Sequence, residues 1–341
     1  MRAVRLHQYG HLPTVDSVSE PALTDTNQAL VRVGAAGVCR TDLHIVDGQF
    51  KDIFDVDLAY TLGHETAGWI QEVGSNVRHL SVGDAVILHP LGTCGYCTAC
   101  RTGDDMHCTT STFPGVNIDG GMADVIRVNA RSLVKLADGI HPRDVAALAD
   151  AGLTAYHAVK KAVSRLTPGT SAAVIGCGGL GHIAIQLLRS MTAARVLAVD
   201  RSDEALALAS SVGADAGVSS NVVEGVMELT DGKGAEAVFD FVGEGGVSQE
   251  ALQVVAPRGT YYAIGYGDSP IVPTVDLVLR EVSIVGNLVG TFGELTELMA
   301  LHSSGRVRVE THFLSLDDAP RAFEDLRDGR VRGRTVLITE S

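Results

Sequence analysis

Apolar positions along the chain fall into two textures. Through roughly the first 130 residues the apolar runs are brief and often alternate with polar positions. "ALVRVGAAGV" (29–38), "AGWIQEVG" (67–74), "DAVILHP" (84–90) and "MADVIRV" (122–128) are each broken off by glycine, proline or charge. Such runs predict short strands of a β-rich domain. Near residue 142 the period lengthens. "HPRDVAALADAGLTAYHAVKKAV" (141–163) carries apolar residues at helical spacing, with an interruption expected around Gly152. A buried strand is predicted at 172–175, a helix over 179–191, a second buried strand at 194–199 and a second helix over 202–211. That β-α-β-α succession is the signature of a parallel sheet covered on both faces.

Strands are expected again in "AEAVFDFVG" (235–243), "GTYYAIGYG" (259–267) and "EVSIVGNLVG" (281–290). The end of the chain reads as helix "ELTELMALHSSG", strand "VRVETHF", helix "LDDAPRAFEDLRDG" and closing strand "RTVLIT". This tail is too short for a third domain, so it is expected to rejoin the first. The fold class is α/β: a doubly wound nucleotide domain inserted into a β-rich one.

A chain of 341 residues is long enough for two cores. Its 41 acidic against 27 basic residues give a formal charge of −14, with no basic patch interleaved with aromatics, which argues against nucleic-acid partners. The start, "MRAVRLHQYGHLPTV", lacks a long apolar core, and no segment approaches the ~18 apolar residues of a membrane span. A soluble, cytoplasmic protein with no membrane partner is therefore expected.

Four of the six cysteines sit in "LGTCGYCTACRTGDDMHC", at Cys94, Cys97, Cys100 and Cys108. Without a secretion signal, clustered cysteines point to metal ligation rather than a disulfide framework. The C-x2-C-x2-C-x7-C spacing suits one tetrahedral zinc whose every position is filled by protein, which makes the ion structural. "VIGCGGLG" places Gly176, Gly178 and Gly181 in the dinucleotide-binding pattern, after a strand and opening a helix. Asp200 follows at the interval expected for a ribose 2′-hydroxyl partner, which favours NAD over NADP, although Arg201 beside it could meet a 2′-phosphate. Cys177 reads as a buried small residue of this turn. Cys39 and His64 end strand-like runs, and Asp42, Glu65, Asp84 and Asp150 are all eligible to join them; spacing does not choose.

Taken together, "CRTDLH" (39–44), "GHE" (63–65), the four-cysteine run, "DAGLTAYHA" (150–158), "GCGGLG" (176–181) and "GRVRGRTVL" resemble the zinc-containing alcohol dehydrogenases of the medium-chain dehydrogenase/reductase family. The resemblance spans essentially the whole chain. It implies a GroES-like catalytic domain from residues 1–150 and 291–341, a Rossmann NAD-binding domain over 151–290, and an active site in the cleft. It makes Cys39, His64 and Asp150 the ligands of a catalytic zinc, with aspartate where many relatives have cysteine. Glu65 resembles a glutamate near the metal. Thr41 and His44 match a proton relay, and Asp42 is similar to a residue supporting His64.

The same resemblance puts Gly179 and Leu180 with the three glycines at the cofactor, Leu288 and Val289 beside the nicotinamide, and Arg334 near the pyrophosphate. It implies NAD and two zinc ions per subunit. The expected activity is reversible oxidation of secondary aliphatic or aryl alcohols to ketones, with primary alcohols possible substrates too and a homo-oligomer, a tetramer before a dimer, as the assembly. Phe50, Phe54, Trp69, His89 and Leu288 are candidate pocket residues. Polyol or aromatic primary-alcohol dehydrogenases, a zinc-free quinone oxidoreductase and a non-catalytic nucleotide-binding protein are the competing readings.

Overall fold

A computed structural model describes residues 1–54 and 56–339. The chain divides into two compact units. One comprises Met1–Leu153, Gly290–Ser303 and Arg308–Ser341; the other comprises Thr154–Val289 and Ser304–Val307.

The first unit opens with β1 (Arg2–Leu6), β2 (Thr14–Ser17), β3 (Gln28–Gly37), α1 (Arg40–Val46), β4 (Tyr60–Thr61), β5 (Glu65–Val73) and β6 (Ala85–Leu88). It continues through the short α2 (Thr98–Thr102), β7 (Val125–Asn129), β8 (Leu133–Lys135) and α3 (Pro142–Val145) to α4 (Ala151–Ala162), whose first turn lies in this unit. The second unit holds β9 (Ser171–Ile175), α5 (Gly181–Met191), β10 (Arg195–Val199), α6 (Asp203–Ser211), β11 (Ala216–Val218) and α7 (Val222–Leu229). After these come β12 (Ala235–Asp240), α8 (Val247–Gln253), β13 (Val255–Ala263), α9 (Thr274–Arg280) and β14 (Ser283–Gly286). The chain then returns to the first unit with α10 (Phe292–Ser303), β15 (Thr311–Ser315), α11 (Ala319–Arg327) and β16 (Arg334–Ile338).

The second unit is a six-stranded parallel sheet in the order β11-β10-β9-β12-β13-β14. The order reverses between β9 and β12, which makes a switch point at the carboxyl ends of those strands. Its inner strands β9, β10 and β12 are buried on both faces, as the uninterrupted "SAAVI" and "RVLAV" runs predict. The first unit has a seven-stranded sheet, β15-β16-β3-β5-β6-β8 with β7 on β3, and a three-stranded one, β2-β1-β4. The first unit is thus a GroES-like β-rich unit and the second a Rossmann unit. In the first, the returning strand β16 pairs with β3 at Val336 and Gly37, so the two chain ends share one sheet.

Three local expectations shift. The helix break falls at Asp150 rather than around Gly152: a 3-10 turn covers Ala146–Ala149, Asp150 leaves helical geometry, and Gly152 lies inside α4. "VRVETHF" becomes strand only from Thr311, where pairing with Arg334 begins. "EVSIVGNLVG" is strand only over Ser283–Gly286, after which the Asn287 side chain turns back and donates to the carbonyls of Ala263 and Val285.

Candidate active site and metal centres

Cys39, His64, Glu65 and Asp150 converge, with ligand-type atoms all within 4.8 Å of one another and every residue buried. Each is placed by an element boundary. Cys39 precedes α1 and His64 precedes β5, while Asp150 occupies the non-helical step into α4. The Asp42 carboxylate accepts the backbone N–H of Cys39 at 2.8 Å, which fixes the entry to α1. Its other oxygen lies 3.2 Å from His64 Nδ1, and Nε2 of the same ring lies 3.5 Å from Asp150 Oδ2. These are ion-pair distances off hydrogen-bond alignment, and among the described residues neither His64 nitrogen completes a hydrogen bond. Burial opposes charge on His64, but Asp42, then Asp150 and Cys39, outweigh it and hold the ring's pKa well above the usual histidine value.

The four eligible carboxylates now separate by their partners. Asp84 pairs with Lys135 and caps Ser81, and Asp42 is engaged by Cys39 N–H. Glu65 accepts the Ala151 N–H at 2.9 Å and both Nε and Nη2 of Arg334. Asp150 stands in the cluster with Cys39 and His64, its Oδ2 on the Nε2 side of the His64 ring. A thiol, an imidazole nitrogen and a carboxylate form a mixed set suited to zinc, leaving coordination room beyond three protein ligands.

Sequence reasoning missed the Glu65–Arg334 pair, which places Arg334 in the first unit's core beside Glu65. Gly37 is the one available signal. A Cβ there would lie 1.9 Å from Glu65 Oε2, so a bare α-carbon in β3 makes the room that the carboxylate occupies. Thr41 and His44 sit three residues apart on α1, hence on neighbouring positions of one helix face, with His44 buried and Thr41 partly exposed. Of the pocket candidates, Trp69 is committed to packing: it lies under Arg32 at 4.4 Å and edge-on to His141 at 5.2 Å. His89 is buried with its nitrogens 2.9 Å from the Gly290 carbonyl and 3.2 Å from that of Leu91. Phe50 and Phe54 pack at the edge of the first unit's core, and Leu288 is half exposed.

The four clustered cysteines form a separate centre. All are free thiols, with Sγ separations of 3.9 Å for Cys94–Cys100 and 3.5 Å for Cys97–Cys100. A tetrahedron of ~2.3 Å metal–sulfur bonds has edges of about 3.8 Å, so these spacings fit one ion and are far too long for S–S bonds. The loop is prepared for thiolates. Cys97 N–H donates to Cys94 Sγ and Cys94 N–H to Cys108 Sγ, both at 3.4 Å. Backbone N–H groups of Tyr96 and Cys97 bring the Cys94 thiol down to about 6. Cys100→Ser is expected to remove this ion and lower the unfolding free energy by about 3 kcal/mol or more. Metal content near one zinc per chain together with a lower melting temperature would bear this out; a stably folded variant that loses only its chemical step would refute it.

In the Rossmann unit the glycine turn joins β9 to α5. Gly176 has φ +86°, a conformation glycine adopts freely. A Cβ on Gly181 would lie 1.9 Å from the Gly176 carbonyl oxygen, so the third glycine lets α5 close against the turn itself. A Cβ on Gly178 would meet nothing within 4 Å, which leaves backbone open for close approach by a ligand. Gly179 and Leu180 complete the turn, with Leu180 capping α5. Asp200, at the end of β10, accepts the N–H of Cys177 at 2.7 Å and of Ser202 at 2.9 Å. Its carboxylate is thereby fixed at the turn, while Arg201 is exposed. Cys177 is fully buried, and burial, then Asp200, push its thiol up to about 12. Val289 has φ +47°.

Residues 25–138 match the family described as alcohol dehydrogenase GroES-like domain, and residues 179–304 the family described as zinc-binding dehydrogenase. An NAD-dependent alcohol dehydrogenase of Sulfurisphaera tokodaii is 33% identical, covering 99% of this chain and 100% of its own. The crystal structure of an alcohol dehydrogenase from Aeropyrum pernix superposes with TM-score 0.97 at 45% identity, covering 99% of this chain and 100% of that one. An acetophenone reductase from Geotrichum candidum, in complex with NAD, is 28% identical with TM-score 0.89, covering 99% and 96%. Two family matches in chain order, full-length relatives and two metal-type clusters agree: the chain belongs to the zinc-type alcohol dehydrogenases of the medium-chain dehydrogenase/reductase family.

Proposed function

We propose that this chain is an NAD-dependent zinc alcohol dehydrogenase that interconverts secondary alcohols and ketones. The observation carrying the reading is the convergence of Cys39, His64 and Asp150. A zinc ion held by these three would act as a Lewis acid on a substrate oxygen, and NAD, bound at the Gly176–Gly181 turn, would accept hydride. Asp42 lies on the Nδ1 side of the His64 ring, and Nε2 faces Asp150. Glu65, neutralised by Arg334, sits beside the ligand set. In oxidation the substrate hydroxyl must lose a proton. Thr41 Oγ1 and the His44 ring, on one face of α1, would take up and pass on that proton.

Preference for ketones and secondary alcohols rests on the aspartate in the ligand set and on the ketone substrate named for the Geotrichum relative. The four-cysteine centre would hold the second zinc in a closed, structural site. A homo-oligomer is supported by exposed Ile271, Val278 and Leu279, at 77, 73 and 79%, in and just before α9, and a tetramer is the assembly proposed. NADH formation by metal-quantified protein, compared across secondary aryl, secondary aliphatic, primary and polyol substrates, tests the substrate class. The highest kcat/KM is expected with a secondary alcohol; a polyol at the top would replace this reading.

Asp200 fixes cofactor choice, because a 2′-phosphate would meet its carboxylate. Asp200→Ala is expected to lower the NAD/NADP ratio of kcat/KM by about tenfold or more. An unchanged ratio would assign the choice to Arg201 or the neighbouring backbone.

A further inference from the structure

Asp240 is fully buried at the carboxyl end of β12, in register with Ile175 of β9 and Ala263 of β13. Four neutral donors meet its two side-chain oxygens. Oδ1 accepts the backbone N–H of Val242 and of Gly243, both at 2.9 Å; Oδ2 accepts Ser248 Oγ–H and Tyr261 O–H, both at 2.8 Å. One carboxylate thus joins the loop after β12 to α8 and to β13. A second fastens the far side of the same loop: Asp268 accepts the N–H groups of Gly246 and Ser248, and its own N–H donates to the Gly243 carbonyl.

The fastened loop presses on the glycine turn. A Cβ on Gly176 would lie 2.7 Å from Val242 Cγ2. Phe241 N–H donates to the Ile175 carbonyl at 2.9 Å, immediately before that turn. Gly243, at φ +62°, would place a Cβ 2.2 Å from the carbonyl carbon of Gly265. At the switch point the loop after β12 therefore meets that after β13 backbone to backbone, and meets the end of β9 and its glycine turn through Phe241 N–H and the Val242 side chain. A buried side chain with four partners costs desolvation and ordering. Spending it on an irregular loop is economical where that loop must hold one shape.

Building on the nucleotide reading above, we propose that Asp240 is a positioning residue for the dinucleotide: it holds residues 241–243 as a fixed wall behind the Gly176 turn. It touches no reacting atom. It acts through the two backbone N–H groups it accepts and through Val242.

Asp240→Ala leaves those N–H groups without their acceptor, so the wall loosens. Asp240→Asn keeps a carbonyl oxygen for them, and the Ser248 and Tyr261 hydroxyls can turn to accept from the new amide. The test is NADH binding by fluorescence on the full-length protein, with melting temperature and amide exchange alongside. Asp240→Ala is expected to weaken NADH by about tenfold or more and to speed exchange at Val242 and Gly243. Its kcat at saturating NAD should fall less than about threefold, and Asp240→Asn should recover most of the affinity.

Should Asp240→Ala fail to fold, Tyr261→Phe combined with Ser248→Ala strips Oδ2 of both donors and is expected to weaken NADH in the same direction. A folded Asp240→Ala protein with lower melting temperature and NADH affinity within about twofold of the parent would overturn the proposal. An unsubstituted protein that binds no NADH would instead remove the nucleotide reading, and this inference with it.

Discussion

Cys39→Ser and Asp150→Ala are each expected to lower kcat with alcohols by about a thousandfold or more and to remove one of two zinc ions per chain. Both effects follow from the donor set. Taking away one of three protein ligands from a site that must keep a position open for substrate leaves too few to hold the ion in place. The four-cysteine centre shares no residue with this one, so its metal should stay. Asp150→Cys supplies a control in the same position: a thiolate is a competent ligand, so metal should be retained where Asp150→Ala loses it. Elemental analysis of folded protein checks the prediction independently of turnover. Full metal content and full rate in Asp150→Ala would remove Asp150 from the ligand set and reopen the choice among the neighbouring carboxylates.

Arg334→Leu should be the most destabilising single substitution near the site, at about 3–5 kcal/mol. Glu65 and Arg334 are both almost completely buried, and Arg334 reaches both carboxylate oxygens. Burial raises the Glu65 pKa while the arginine opposes that rise. Without the guanidinium, a carboxyl packed against the α-carbon of Gly37 faces a space that cannot hydrate it freely. Adding Glu65→Gln should restore part of the loss, since an amide needs no counter-ion. Urea unfolding of both single variants and the double variant gives the coupling. Independent, additive losses would show that the pair contributes packing alone.

Much of this architecture is legible in the chain because two periodicities write it. Uninterrupted runs such as "RVLAV" are forced by burial on both faces of a parallel sheet, and the glycine spacing of 176–181 is forced by backbone approach at the turn. The four-cysteine centre is equally legible, since all its ligands lie within one loop. The second cluster is not. Cys39, His64 and Asp150 are brought together by β3, β5 and the step into α4, and spacing along the chain carries no trace of that meeting. Resemblance to a family selected Asp150; the fold brings Asp150 to Cys39 and His64 and engages Asp84 with Lys135, away from the cluster. The Asp240 clamp is hidden for the same cause. Its donors come from residues 242, 243, 248 and 261, and nothing in "AEAVFDFVG" distinguishes a pinned carboxylate from a solvated one.

The central claim is hydride transfer from an alcohol to NAD at the Cys39–His64–Asp150 centre. Its most direct test is the absorbance of NADH formed by purified protein carrying two zinc ions per chain, with a secondary aryl alcohol and NAD. The account predicts alcohol-dependent NADH formation that disappears on chelation and returns with zinc. No NADH from secondary, primary or polyol substrates, with both ions present, would contradict it.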